Sequence, residues 1–193
     1  MTLKLAKAYH AAVHAAATLV ISGEEEAQLT TPISNLLIGI SEAAKFGALR
    51  LIREIRLRHT RPDFAAVLIR NGSTWQGGFI ELKAPSVSVD AWSWSGRNRR
   101  QWANMHREAG VLIVSNGVHA QLYRDGVPIG EPASLPYAEF RHWNSDPLIQ
   151  LLCCFFDLNP TPAATQDIPI HPAMQVLDPR GHCSWMLNEA GVF

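Results

Sequence analysis

An Asn-Gly pair with an apolar run on either side constrains this chain more than any other feature. Ala65 to Arg70 precede Asn71-Gly72, and a second run passes through Gly77-Gly78-Phe79-Ile80. Two such runs joined by Asn-Gly predict a β-hairpin, because both turn residues accept a positive φ. Folding about that turn returns Asp63 to the level of Ile80 to Leu82, the partner depending on any bulge at Gly77-Gly78. Side chains alternate along a strand, so Glu81 and Lys83 share one face while Leu82 takes the other. Asp63, Glu81 and Lys83 then meet at one end of the hairpin. Two carboxylates beside an ammonium suit a divalent metal ion and an activated water.

The rest of the composition limits what that cluster can serve. At 193 residues, 47% hydrophobic and 18% charged, the chain is long and apolar enough for one domain with a real core. Seventeen basic and seventeen acidic residues cancel, so any nucleic-acid contact has to come from a local patch. Cys153-Cys154 and Cys183 are an odd count with an adjacent pair, which argues against a disulfide framework and for a reducing, cytoplasmic compartment. No run approaches the roughly twenty apolar residues of a membrane span, and the start of the chain lacks a signal-peptide pattern.

In chain order, residues 3–20 read as a helix. His10 and His14 lie one turn apart on it, but no carboxylate or third ligand accompanies them, so they are discounted as a metal site. Glu24-Glu25-Glu26 opens a second helix, where negative charge suits the dipole. Leu29, Ile33, Leu36, Leu37 and Ile40 form its inward stripe. Glu26 falls on the apolar side of that helix, and both a capping role and a cationic receiver such as a metal remain open. Residues 48–58 alternate as a strand, with a helix over part of them still open; as a strand they make three in a row with the hairpin. Arg97 to Glu108 reads as a helix with Trp102 and Met105 inward, and Arg97, Arg99, Arg100 and Arg107 charge it positively. A solvated face and a phosphate-contacting surface both account for those arginines. Two further strands follow, at Val111 to Val114 and Val118 to Tyr123. Leu148 to Phe156 is an apolar helix or strand, and a proline-rich stretch begins after Asp157. The expected class is α/β, a mixed central sheet flanked by helices. The expected division is a domain over 1–156 and a linker-like tail over 157–193, with the chain the front of something longer.

These residues resemble the PD-(D/E)XK nuclease superfamily, whose restriction-endonuclease-like core runs helix, three strands, helix, strand. The wider stretch is more specific: Arg61-Pro62-Asp63, then Phe79-Ile80-Glu81-Leu82-Lys83-Ala84-Pro85. Gly96-Arg97-Asn98-Arg99-Arg100-Gln101-Trp102, Ser115-Asn116-Gly117 and Leu122-Tyr123-Arg124-Asp125-Gly126 follow in order. It is similar to the N-terminal nuclease domain of single-polypeptide bacterial restriction–modification enzymes that also carry an adenine-N6 methyltransferase. The similarity covers roughly residues 24–135.

The resemblance implies that Asp63 and Glu81 hold Mg²⁺, with Mn²⁺ as a substitute, and that the Leu82 carbonyl adds a ligand. It implies that Lys83 orients or deprotonates the attacking water and offsets developing charge. Glu26 matches the first-helix carboxylate of the metal site. Gln101 matches a helix glutamine of the subset related to the RecB nuclease, although Met105 stands where that subset has tyrosine. The implied function is DNA phosphodiester hydrolysis in restriction. The alternative is a non-catalytic nucleic-acid-binding or assembly module that keeps the nuclease fold. A third option is an interaction domain whose acidic cluster pairs with Arg97, Arg99 or Arg100. Trp92, Trp94 and Trp102 are candidates for base stacking, with packing the expected role for Trp102. The chain lacks a Gly-x-x-x-x-Gly-Lys-Ser/Thr loop, and Asn159-Pro160-Thr161-Pro162 lacks the second adjacent proline and the aromatic of methyltransferase tetrads. Methylation and target recognition would therefore lie on absent residues or another chain, and cutting both strands admits a homodimer on DNA.

Overall fold

The computed structural model describes residues 2–18, 25–53, 55–158 and 161–162. The expected tail beyond these lies outside the described residues.

The Asn-Gly hairpin forms as expected. Strands β2 (Phe64–Arg70) and β3 (Ser73–Leu82) are joined by Asn71 at φ 51° and Gly72 at φ 75°, the two positive values that a two-residue turn needs. Strand β1 (Ala48–Arg53) pairs antiparallel with β2, and β4 (Val111–Ser115) pairs parallel with β3. A parallel neighbour requires a crossover, and helix α3 (Gly96–Glu108) supplies it. Strands β5 (His119–Arg124) and β6 (Val127–Ser134) complete the order β1-β2-β3-β4-β5-β6, and Thr161–Pro162 (β7) pairs with the start of β3.

Helices α1 (Thr2–Thr18), α2 (Glu25–Ala43) and α4 (Asp146–Leu158) cover one face of this sheet. Leu29, Ile33, Leu36, Leu37 and Ile40 of α2 are all buried there, with Ile80 and Leu82 of β3 and Leu148, Leu152 and Phe155 of α4. The other face carries α3 and a short 3-10 turn at Ala91–Ser93, where Trp94, Trp102 and Met105 pack on Phe79, Leu112, Val114 and Tyr123. The strict alternation along β3 thus sends Ile80 and Leu82 to one layer and Phe79, Glu81 and Lys83 to the other. The chain is a mixed α/β sheet between helices, as its sequence predicts.

Three boundaries differ from expectation. β1 stops at Arg53 because Arg53 pairs with Phe64, the first residue of β2, so the chain beyond it has no strand to follow. Ile55 and Leu57 instead pack against the α3-side cluster. β6 goes beyond the two strands expected after α3, and it carries Pro128, Gly130 and Pro132. It is an edge strand, where a missing N–H costs no ladder bond. Thr161–Pro162, expected to belong to the tail, pairs instead with Trp75 and Gln76, and α4 runs to Leu158. Cys153 and Cys154 are both buried on α4. Among the described residues no helix is long and apolar enough to cross a membrane.

Candidate functional site

The β2–β3 register decides which side chains share the site face. Near the turn, Arg70 pairs with Ser73 and Val67 with Gln76; past Gly77, Ala66 pairs with Gly78 and Phe64 with Ile80. Gly77 is the extra residue of a bulge. One further step in the shifted register sets Asp63 across from Glu81. Without the bulge Asp63 would face Ile80, and a one-residue slip turns a side chain to the opposite face. Gly78 permits the irregularity: its φ is +134°, and a Cβ there would meet the Val111 carbonyl oxygen at 2.7 Å and the Phe155 ring at 2.8 Å.

Asp63 sits where β2 has not yet begun, so Leu82 has no opposing backbone acceptor. The Leu82 N–H donates to Asp63 Oδ2 at 2.6 Å instead, bringing the Leu82 peptide to the carboxylates. Glu81 is 3% exposed and Lys83 2% exposed, which makes both expensive unless partnered. Lys83 Nζ donates to Glu81 Oε1 at 2.5 Å and to Gln101 Oε1 at 3.2 Å, and Gln101 Nε2 donates to the same Glu81 Oε1 at 2.6 Å. The three side chains form a closed triangle. Glu26 Oε1 is 3.9 Å from Lys83 Nζ, and the Trp94 ring centre lies 5.5 Å from that nitrogen.

Glu81 Oε2 is buried with no hydrogen-bond partner. Burial is the main force on this carboxyl and pushes it up to about 7; the charges of Asp63 and Glu26 add to the rise, and Lys83 opposes it. An orphaned, acidic-to-neutral oxygen beside a second carboxylate is a donor set that fits a hard divalent cation. Among the described residues no three His, Cys, Asp or Glu side chains form a group that could hold a metal ion. Asp63, Glu81 and Glu26 therefore do not close a three-carboxylate cage. Glu26 approaches from α2, on the other layer, and reaches Lys83 first.

Most residues singled out from the sequence converge here. Glu81, Lys83 and Gln101 are in direct mutual contact, Asp63 accepts from the Leu82 N–H beside them, and Glu26 lies at their edge. Arg97, Arg99 and Arg100 are exposed on the first turns of α3, the helix that delivers Gln101. The tryptophans separate: Trp102 and Trp94 are core, at 2% and 5% exposed, while Trp92 is 50% exposed. The discounted histidines are engaged structurally, since both rings bond the Tyr137 carbonyl oxygen, at 2.8 Å from His10 Nδ1 and 3.1 Å from His14 Nε2.

Asn116 does more than the turn that Asn116-Gly117 predicts. It is buried, its Nδ2 donates to the Val87 carbonyl at 2.7 Å and its Oδ1 accepts from the N–H groups of Val118 and His119 at 3.0 and 2.8 Å. It thereby ties the loop after Lys83 to the turn after β4. The only sequence signal was Asn-Gly after an apolar run, which predicts the turn and not the clamp.

No family model matches the chain, and no curated protein matches it. Among solved structures it is similar to a chain of a DrdV–DNA complex determined by cryo-electron microscopy, with a TM-score of 0.54 at 18% identity. The similarity covers 82% of this chain and 14% of that one, so this chain spans a small part of its structural neighbour. At that identity the likeness is one of fold.

Proposed function

We propose that this chain is a metal-dependent DNA endonuclease domain of the PD-(D/E)XK type, hydrolysing phosphodiester bonds in a restriction–modification setting. The observation that carries the reading is the division of labour on Glu81. Oε1 is fixed by Lys83 and Gln101, whereas buried Oε2 is left without a partner next to Asp63. A structural ion pair has no use for an orphaned oxygen, which costs about 1–3 kcal/mol. The DNA in the structural neighbour's complex supports the choice of substrate.

In this reading Asp63 and Glu81 Oε2, with the Leu82 carbonyl, would hold Mg²⁺ or Mn²⁺, which when bound would supply Lewis acidity. Lys83 is a buried ammonium whose position is fixed by Glu81 and Gln101, so it orients the attacking water and offsets charge developing on the phosphate without reorganising. Gln101 keeps the Glu81–Lys83 pair aligned. Arg97, Arg99 and Arg100 hold the DNA backbone over the site. The absence of a three-carboxylate group among the described residues favours one competing reading, a DNA-binding module that keeps the fold without cutting.

Plasmid incubated with the protein and Mg²⁺ or Mn²⁺ separates the two, beside Lys83→Ala and Asp63→Ala variants. Cleavage by the unaltered protein and loss in both variants is expected. Cleavage that persists in both removes the site assignment. No cleavage by any form, with no metal binding by calorimetry, selects the binding module.

A further inference from the structure

Thirteen of the seventeen basic residues are arginine, and nine of those thirteen occupy two stretches: five from Arg50 to Arg61 and four from Arg97 to Arg107. Those stretches hold one carboxylate between them, Glu54, in a chain of zero net charge. The second stretch is α3. The first runs from β1 into the connection to β2.

Arg50 and Arg53 stand on β1, the edge of the sheet, and Arg56 and Arg58 on the connection to β2. All four are exposed, and among the described residues none is in an ion pair. Ile52 pairs with Ala65, which belongs to the cluster under α3, so Arg50 and Ile52 face the same side of the sheet as Glu81. Ile52 is 45% exposed, so this corner of that face is uncovered. Arg53 pairs with Phe64, which belongs to the cluster under α1, α2 and α4, so Arg53 faces the other side. The connection is also anchored. Ile55 and Leu57 pack on the α3-side cluster, and the His59 N–H and Nδ1 lie 2.9 and 2.6 Å from the two Glu108 oxygens at the end of α3.

We propose that Arg50, Arg56 and Arg58 form a second phosphate-binding surface, which takes the backbone of duplex DNA on the β1 side of the carboxylates while α3 takes it on the β4 side. The proposal rests on the nuclease reading for its partner and extends it to a two-sided grip. A solvated face of a neutral protein is ordinarily mixed in sign. Here five arginines stand against one carboxylate; the arginine fork matches phosphate better than an ammonium does, and the segment is anchored, so it orders little on binding. Neutralised phosphates release counterions, so each such contact adds about 0.9 to the slope of log affinity against log salt.

The test uses the whole chain in EDTA with a fluorescent DNA duplex, over a series of salt concentrations. It compares the unaltered protein, an Arg50→Gln/Arg56→Gln/Arg58→Gln variant, and a control that neutralises exposed Lys4 and Lys7 on α1 (Lys4→Gln/Lys7→Gln). Expected is roughly tenfold or greater loss of affinity for the arginine variant and a salt slope smaller by about 2 to 3, with the lysine variant unchanged. An arginine variant that binds like the unaltered protein overturns the proposal. So does equal loss in both variants, failure of the unaltered protein to bind duplex, or polyglutamate binding as tight as DNA. Plasmid cleavage with arginine-independent binding overturns this surface and leaves the nuclease reading standing. Arginine-dependent binding without cleavage does the reverse.

Discussion

Asp63 stands across from Glu81 because one residue of β3, Gly77, has no partner in β2. The bulge puts two carboxylates on the α3 side of the sheet, although the turn-proximal register would have set Asp63 opposite Ile80. The site is therefore a product of strand register as much as of residue identity, and the backbone around the bulge is where it is most sensitive.

Gly78→Ala tests that dependence. The new Cβ would be forced into the Val111 carbonyl and the Phe155 ring at a φ of +134°. Overpacking and a disfavoured backbone together are expected to cost about 2–4 kcal/mol. Urea denaturation measures the loss. Gly72→Ala is the comparison: its Cβ meets nothing within 4 Å, so only the positive φ opposes it and the loss should be about 1 kcal/mol.

The buried Glu81 carboxyl sets a pH dependence. Its ordinary value is 4.5 and its folded value about 7, so the folded state holds the proton more tightly than the unfolded chain. Stability from this group is complete below about pH 4.5 and is lost as the pH rises through about 7. Metal-free protein should be less stable at about pH 8 than at about pH 5, by up to roughly 3 kcal/mol. Thermal denaturation in EDTA follows it, with Glu81→Gln as the variant that lacks this slope. Mg²⁺ requires the ionised carboxylate, so its affinity should rise across the same range, up to about tenfold for each pH unit below the folded value. A pH-independent Mg²⁺ isotherm would falsify the assignment of Glu81 as a ligand.

Removing Lys83 probes the pair from the other side. Lys83→Ala takes the cation from a carboxylate that is 3% exposed, and breaking such a pair typically costs about 3–5 kcal/mol. The penalty falls on the ionised carboxylate, so the loss should be large at about pH 8 and small at about pH 5, where Glu81 is protonated. A loss equal at both values would mean that packing of the lysine stem, not its charge, is what matters.

Much of this was legible in the chain. Asn71-Gly72 announces the hairpin, Leu29 to Ile40 an inward stripe, and the alternation around Leu82 puts Glu81 and Lys83 on one face. What local pattern cannot supply is register: Gly77-Gly78 signals an irregularity but not its direction, and the direction decides whether Asp63 faces Glu81 or Ile80. The tryptophans were ambiguous for a related reason. Trp92 and Trp94 are two apart in the same loop, yet one is half exposed and the other buried beneath Lys83, a difference made by the fold of the loop. β6 was hidden because prolines forbid a central strand and permit an edge one, and edge position is a property of topology.

Asn116 offers a prediction that sequence alone would not prompt. Its side chain holds the Val87 carbonyl and two N–H groups of the β4–β5 turn, and it is 5% exposed. Asn116→Ala leaves those groups unsatisfied beside the loop that follows Lys83, at about 1–3 kcal/mol for the first such group. The consequence should extend past stability. With the loop from Ala84 to Val89 released, Trp94, whose Nε1 donates to the Ser88 carbonyl at 2.7 Å, loses its anchor under the lysine. Cleavage by Asn116→Ala should then fall several-fold at a temperature where circular dichroism still reports a folded chain, while duplex affinity in EDTA stays near that of the unaltered protein. Asn116→Asp keeps the Oδ1 acceptor but loses the donor to Val87. It should therefore retain the turn and show the same cleavage defect, which places the effect on the loop and not on the β4–β5 connection.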